Sequence, residues 1–254
     1  MSNARSSSEP ITGRHQSGAG LPGRDGAGAD YRSGVGAEDR ARQGNARDRV
    51  YGELRHRLLR GHYGADSALV PGTLSTEFSV SRTPVREALG LLAQDGLLVA
   101  THHGFLPHRR SPEELLEIFE TRALLDAGAA EAATHRRTPL DLARLDEATA
   151  RARGATDPAA VRRALNAWHE VLRSAGRNDT LAALIGRLEA QIKMHAPWRA
   201  EPSAAAFTDA LDQHDAITAA VRDGDAATAR ARMLAHLAED HDVRIRQLIA
   251  TAHG

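Results

Sequence analysis

The 254-residue chain has no cysteine. That excludes a disulfide scaffold, a thiolate zinc site and a cysteine nucleophile. Lysine is almost as scarce, with Lys193 alone against 32 arginines. Schiff-base chemistry on pyridoxal phosphate would therefore depend on that one residue. Aromatics make up 4% of the chain, and no apolar run approaches the roughly 20 residues of a membrane span. Ile11 and Leu21 are the only large aliphatics before Val35, so a signal-peptide core is lacking. The expected compartment is the cytoplasm, with no membrane partner.

What is present is unevenly placed. Residues 1–110 hold 15 Arg against 11 acidic residues, whereas residues 111–254 hold 17 Arg and the lysine against 22. A basic front and an acidic rear suggest two modules with different partners. Residues 1–46 carry 9 of the 22 glycines and little to bury, and the expectation there is a disordered tail. From Arg47 the apolar residues fall at helical spacing. Val50, Leu54, Leu58 and Leu59 predict a helix over about 47–61, and Leu74 with Phe78 a short second one. Ser81-Arg-Thr-Pro-Val-Arg-Glu-Ala-Leu89 opens a third, with Ser81 or Thr83 as N-cap and Pro84 in the first turn. Residues 97–100 and 101–106 read as two short strands with a turn near His103-Gly104. Three helices and a ribbon over 47–110 make the winged form of the helix-turn-helix.

Residues 111–254 read as helix throughout. Ser111-Pro-Glu-Glu114 is a capping box opening a helix over about 112–134, and Thr138-Pro139 and Asp157-Pro158 open the next two. Further helices cover about 179–195, 203–222 and 225–251. The expected fold class is mainly α: a winged helix-turn-helix followed by an antiparallel helical bundle.

The front carries its chemistry at one helix start. Arg82, Thr83 and Arg86 stand where a recognition helix meets a major groove. Arginine can take guanine O6 and N7 together, and Ser or Thr hydroxyls can anchor phosphate oxygens. The ribbon tip, His103-Gly104, would approach the DNA backbone or minor groove closely because Gly104 has no side chain. The bland alternative is a charged helix start with no partner. Residues 47–110 resemble the DNA-binding domain of GntR-family transcription regulators through Leu54, Leu58, Gly61, Leu69, Leu74, the stretch from Val80 to Leu89, Leu91-Leu92, Asp95-Gly-Leu-Leu98 and His103-Gly104. The resemblance implies that Ser81, Arg82, Thr83, Arg86 and Gly104 contact operator DNA. In one departure, Val70-Pro-Gly-Thr73 stands where the family usually has a polar or acidic helix start.

In the rear, His169, His214 and His236 each lie on the apolar face of a different predicted helix. One such histidine is more often a hydrogen-bonded core residue. Three converging on one bundle interior are a way to build a zinc, nickel or manganese site. Residues 111–254 are similar to the FCD effector domain of the FadR-like branch of GntR regulators. Its pattern is an Asp-x-x-x-His, a second His 45 to 50 residues on and a third one helix later, all binding a metal. His169, His214 and His236 match those positions, and so do Asn178, Asp212-Gln-His-Asp-Ala-Ile217, Gly224-Asp225 and Ala229. Arg122 matches an arginine that enters the cavity and pairs with an acidic effector. The Asp position, however, is Leu165, with Asn166 one residue out of register. Three His plus water can still hold zinc. The alternative is a metal-free site in which the imidazoles hydrogen-bond an organic ligand.

The effector site is accordingly expected to hold Arg122 and Asn166, with Lys193 as a second anion partner. The bland reading of Lys193 is an exposed charge. Taken together, the sequence predicts a transcription regulator, a repressor by resemblance and not an enzyme. It would bind a palindromic operator as a homodimer and respond to a small organic or sugar acid. One rival is a metal-dependent enzyme built on the three histidines, although Asp212 and Asp215 beside His214 should point away from it. The other is a DNA-binding protein whose rear domain only dimerises.

Overall fold

In this computed structural model, residues 31–195 and 204–252 are described. The expected tail lies outside the described residues as far as residue 30. From Tyr31 the chain is helical, and α1 spans Tyr31–Leu59. The helix therefore begins well before Arg47, a correction to the sequence reading. Residues 37–46 are mostly Ala, Arg, Glu and Gln, good helix formers. Extending a helix already nucleated costs far less than starting one.

Residues 43–254 form one compact unit. Its front part holds α1, α2 (Pro71–Glu77), α3 (Arg82–Gln94), β1 (Leu98–Thr101) and β2 (Gly104–Pro107). The strands pair antiparallel from Leu98–Pro107 to Thr101–Gly104, so the turn is His102-His103, one residue earlier than expected. Leu69 bridges to Phe105 at the edge of this ribbon. Val50, Leu54, Leu58, Leu69, Leu74, Val85, Leu89, Leu92 and Leu97 make the buried core here. These positions are the helical stripes legible in the sequence.

Six helices follow: α4 (Pro112–Arg136), α5 (Pro139–Gly154), α6 (Pro158–Ala175), α7 (Asp179–Met194), α8 (Ala204–Asp223) and α9 (Ala226–Ala252). Their starts are chemically marked. Ser111 with Glu114 and Thr138 with Asp141 form reciprocal capping boxes, and Asp157 and Asn178 accept from the first-turn amides of α6 and α7. Such caps are each worth about 1 kcal/mol. The main bundle core joins α4, α5, α6, α8 and α9 through Leu145, Trp168, Leu172, Ile217, Val221 and Met233. The fold is mainly helical, a winged helix-turn-helix ahead of an all-α bundle. No helix among the described residues is long and apolar enough to cross a membrane.

Candidate functional site

The start of α3 is exposed. Ser81 is its N-cap and makes no side-chain capping bond, which leaves its hydroxyl available. Ser81, Arg82, Thr83 and Arg86 are all exposed, while Pro84, Val85 and Leu89 on the same helix are buried. Helical periodicity thus divides the motif: the apolar residues lock α3 to the core and the polar ones face outward. Neither arginine has an ion-pair or hydrogen-bond partner among the described residues.

The glycine of the ribbon tip has a reason inside the fold. His103 is exposed at the turn, its amide donating to Thr101 Oγ1 at 3.2 Å. Gly104 has φ +128°, and a β-carbon there would lie 2.7 Å from the Leu69 carbonyl oxygen. Glycine is required by this close approach within the protein, where Leu69 and Phe105 exchange backbone hydrogen bonds of 2.7 and 3.1 Å.

In the bundle, α6, α8 and α9 bring His169, His214 and His236 together, all three buried. His169 Nε2 lies 3.2 Å from His214 Nε2 and 3.4 Å from His236 Nε2. With Zn–N bonds of about 2.0–2.1 Å, two nitrogens of a tetrahedron stand about 3.3–3.4 Å apart. The spacing therefore fits a cation, and the cluster could coordinate a metal. The outer nitrogens agree. His214 Nδ1 faces the Ala210 carbonyl at 2.5 Å, and His236 Nδ1 faces Gln213 Oε1 at 2.6 Å. Gln213 in turn donates to Glu239. Protons on those Nδ1 atoms leave both Nε2 lone pairs aimed at His169. His169 Nδ1 is buried with no hydrogen-bond partner among the described residues. Burial and the neighbouring imidazole of His236 hold His214 down at about 3. Burial, then His214, His236, Arg173 and Arg122, push His169 well below its ordinary value. His169 and His214 are accordingly ready as neutral donors. Trp168 walls the cluster, its ring 4.2 Å from that of His214 and its Nε1 donating to Thr218 Oγ1 at 3.0 Å.

A buried chain of charges adjoins the histidines. Arg122 Nε donates to Asp126 Oδ2 at 3.1 Å. Asp126 also receives Arg173 Nε at 2.7 Å and Nη2 at 3.1 Å, and Arg173 Nη1 reaches Glu189 Oε2 at 2.9 Å. Burial alone would raise Glu189, but Arg173, Lys193 and Arg122 outweigh it and hold the carboxyl at about 2. Arg122 makes no further hydrogen bond among the described residues, so its two Nη groups remain uncommitted near the cluster.

Two expected effector residues are not brought there. Asn166 is exposed: three residues along a helix leave a side chain about 60° off the stripe that carries His169. Lys193 pairs with Glu189 Oε1 at 2.7 Å and lines a cleft of about 420 Å³ with Arg55, Arg173 and Ser174, between α1 and α7. Asn178 and Asp225 are helix caps. Asp212 and Asp215 are exposed and pair with Arg153. Leu165 packs against the cluster of Ala152, Val161 and Leu211. Sequence reasoning missed Asp126, Arg173, Glu189 and Gln213. Arg122 with Asp126 is an i,i+4 pair on an otherwise apolar face, and that was the available signal.

Residues 46–104 match the family described as bacterial regulatory proteins, gntR family, and residues 117–239 match the FCD domain. The chain is 37% identical over 78 residues to the gluconate operon transcriptional repressor of Bacillus subtilis, a match covering 31% of this chain and 32% of that protein. It thus spans about a third of that relative's length. It is 31% identical over 199 residues to an HTH-type transcriptional regulator in an unstable DNA locus of Streptomyces ambofaciens, covering 76% of this chain and 82% of that one. The structure of McbR/YncC from E. coli shares the fold with a TM-score of 0.67 at 22% identity, covering 80% of this chain and 98% of that one. These are families of DNA-binding regulators rather than of enzymes. On its motifs, its fold and these matches, the chain belongs to the GntR family of bacterial regulatory proteins, with an FCD domain in its rear half.

Proposed function

We propose that the protein is a ligand-responsive transcription repressor that binds a palindromic operator as a homodimer and is released by a small organic or sugar acid. The observation that carries this reading is the uncommitted start of α3. Arg82 and Arg86 face outward without partners among the described residues, free to take guanine edges, while Ser81 and Thr83 reach phosphates and His103 approaches the backbone beside the ribbon. Two half-sites need two identical readers.

His169, His214 and His236 would hold a divalent cation, zinc or nickel. When bound, it supplies positive charge and an open position for an oxygen ligand. The donor set brings no carboxylate of its own, and Arg122 adds a guanidinium with free N–H groups. Site charge therefore favours an anion, and Arg122 receives its carboxylate. A metal-free version is favoured by one contact: the 3.2 Å between His169 Nε2 and His214 Nε2 also suits a shared proton. The imidazoles would then hydrogen-bond the acid directly.

Selection from a random duplex pool tests the DNA reading. A recovered palindrome, bound as a dimer with an affinity that falls steeply with salt, is the expected result. Failure to enrich any sequence would overturn it. Metal analysis of purified protein, with and without His214→Ala, tests the rear site. Metal in the wild type and none in the variant is expected, and none in either leaves the metal-free version.

A further inference from the structure

Helix α7 is loaded on two sides. Ile192 packs with Ile118 and Phe119 of α4, while Ala190 lies in the core of the winged helix-turn-helix with Met194 packed against it. Polar contacts follow the same division. Gln191 Nε2 donates to the Asp95 carbonyl at 2.8 Å. Arg187 Nε lies 3.2 Å from the Asp95 carboxylate, which also accepts from the Tyr51 hydroxyl at 2.6 Å. Asp95 is the C-cap of α3. At the next residue, Gly96, φ is +73° and a β-carbon would stand 2.7 Å from Gln191 Nε2. The turn that ends α3 is thus bare where α7 reaches it.

His195 closes α7. Its Nδ1 lies 2.8 Å from the Gln191 carbonyl and its Nε2 2.7 Å from the His108 carbonyl. The Arg110 amide is 3.1 Å from the same Nε2. His108 to Arg110 is the segment leading from the ribbon to α4. The end of α3 and this linker are therefore gripped by adjacent turns of one helix. Glu189, two residues before Gln191, is held by Arg173, which shares Asp126 with Arg122.

We propose that Gln191 and His195 are positioning residues for operator reading, bolting α3 and the linker to α7, and that Glu189 ties their placement to Arg122 through Arg173 and Asp126. The input to this device rests on the effector site proposed above. The grip of α7 on α3 rests on the contacts alone. Asp126 serves two guanidiniums and Arg173 two carboxylates. A cation on the histidines, which repels the neighbouring Arg122 and Arg173, or an anion drawing on Arg122, changes how Asp126 is shared, and with it how firmly Arg173 holds Glu189. Because α7 carries both ends, the change is delivered at Asp95 and His108.

The test uses the full chain, an operator duplex recovered by selection, and Zn2+ alone as the probe. Gln191→Glu keeps the shape and loses the donor, Gln191→Lys restores a donor, and Glu189→Gln breaks the other end. Zn2+ should change wild-type operator affinity by about five-fold or more. Both Gln191→Glu and Glu189→Gln should bind Zn2+ within about two-fold of wild type yet lose most of that response, and Gln191→Lys should recover it. A full response in both broken variants overturns the relay, as does Zn2+ binding that leaves the wild-type operator affinity unchanged. If Zn2+ does not bind at all, the metal reading of the histidines fails, and amide exchange decides the grip by itself. Gln191→Glu should then speed exchange at Gly96 and Leu97 by about five-fold, the worth of one hydrogen bond. His195→Ala should do the same at Arg110. Unchanged exchange at these amides overturns the positioning role.

Discussion

Arg82 and Arg86 stand in solvent at the start of α3 with no partner among the described residues, whereas Arg122 and Arg173 are buried in the bundle and tied to carboxylates. One residue type therefore meets two sets of conditions. In the front region the guanidinium keeps its hydration and its hydrogen-bonding capacity until a ligand arrives. In the rear, desolvation has already occurred at folding, and Asp126 and Glu189 offset it. The difference separates what Arg82 and Arg86 affect, which is binding, from what Arg173 affects, which is stability.

The sharpest way to break this comparison is to remove one arginine from each region. Arg173→Met leaves the buried Asp126 and the half-buried Glu189 without their main partner. It should cost about 3–5 kcal/mol of stability, read by urea unfolding. Arg82→Ala and Arg86→Ala should each weaken operator binding by about 1–3 kcal/mol while leaving unfolding within about 0.5 kcal/mol of wild type. If Arg82→Ala unfolds the protein, or Arg173→Met does not destabilise it, the contrast is wrong.

The two regions also differed in how far their sequence disclosed them. The starts of the rear helices were legible because capping is local: Ser111 lies three residues from Glu114, and Thr138 stands directly before Pro139. The three histidines were legible because each shares a helical stripe with apolar neighbours. The charge chain was not, because Asp126 meets Arg173 across two helices 47 residues apart, and no periodicity reports which side chains face each other. Asn166 failed for the opposite reason: its spacing from His169 looked near enough, but the helix turns it to solvent. Gly104 was singled out correctly for lacking a side chain, yet the crowding atom is the Leu69 carbonyl.

Acid should separate the regions next. His214 is held near 3 in the fold by burial and by His236, and His169 well below its ordinary value by burial and by His214 and His236. An unfolded chain takes up these protons near pH 6.5, whereas the folded chain does not. The unfolded state therefore binds more protons, and stability falls as pH drops from about 6.5 toward 3. The slope approaches about 1.4 kcal/mol per pH unit for each histidine. Thermal melts between pH 7 and 5 should show a falling Tm for wild type and a shallower fall for His214→Leu. A Tm that does not move in this interval would mean the imidazoles are already charged or not buried.

The smallest expected effect bears on Lys193, which scarcity made conspicuous in the sequence. Its side chain is 44% exposed and pairs with Glu189, itself 14% exposed, at 2.7 Å. A pair open to water on one side is worth about 0–1 kcal/mol. Glu189 keeps Arg173 when the lysine is gone, so no carboxylate is stranded. Lys193→Met should therefore shift urea unfolding by less than about 1 kcal/mol. It should also leave Zn2+ binding unchanged, because the lysine faces the cleft between α1 and α7 rather than the imidazoles. Calorimetric titration of Zn2+ into wild type and variant checks the second point directly. A large loss of Zn2+ affinity in Lys193→Met would return the lysine to the effector site and put the boundary between the cleft and the histidine cluster in the wrong place.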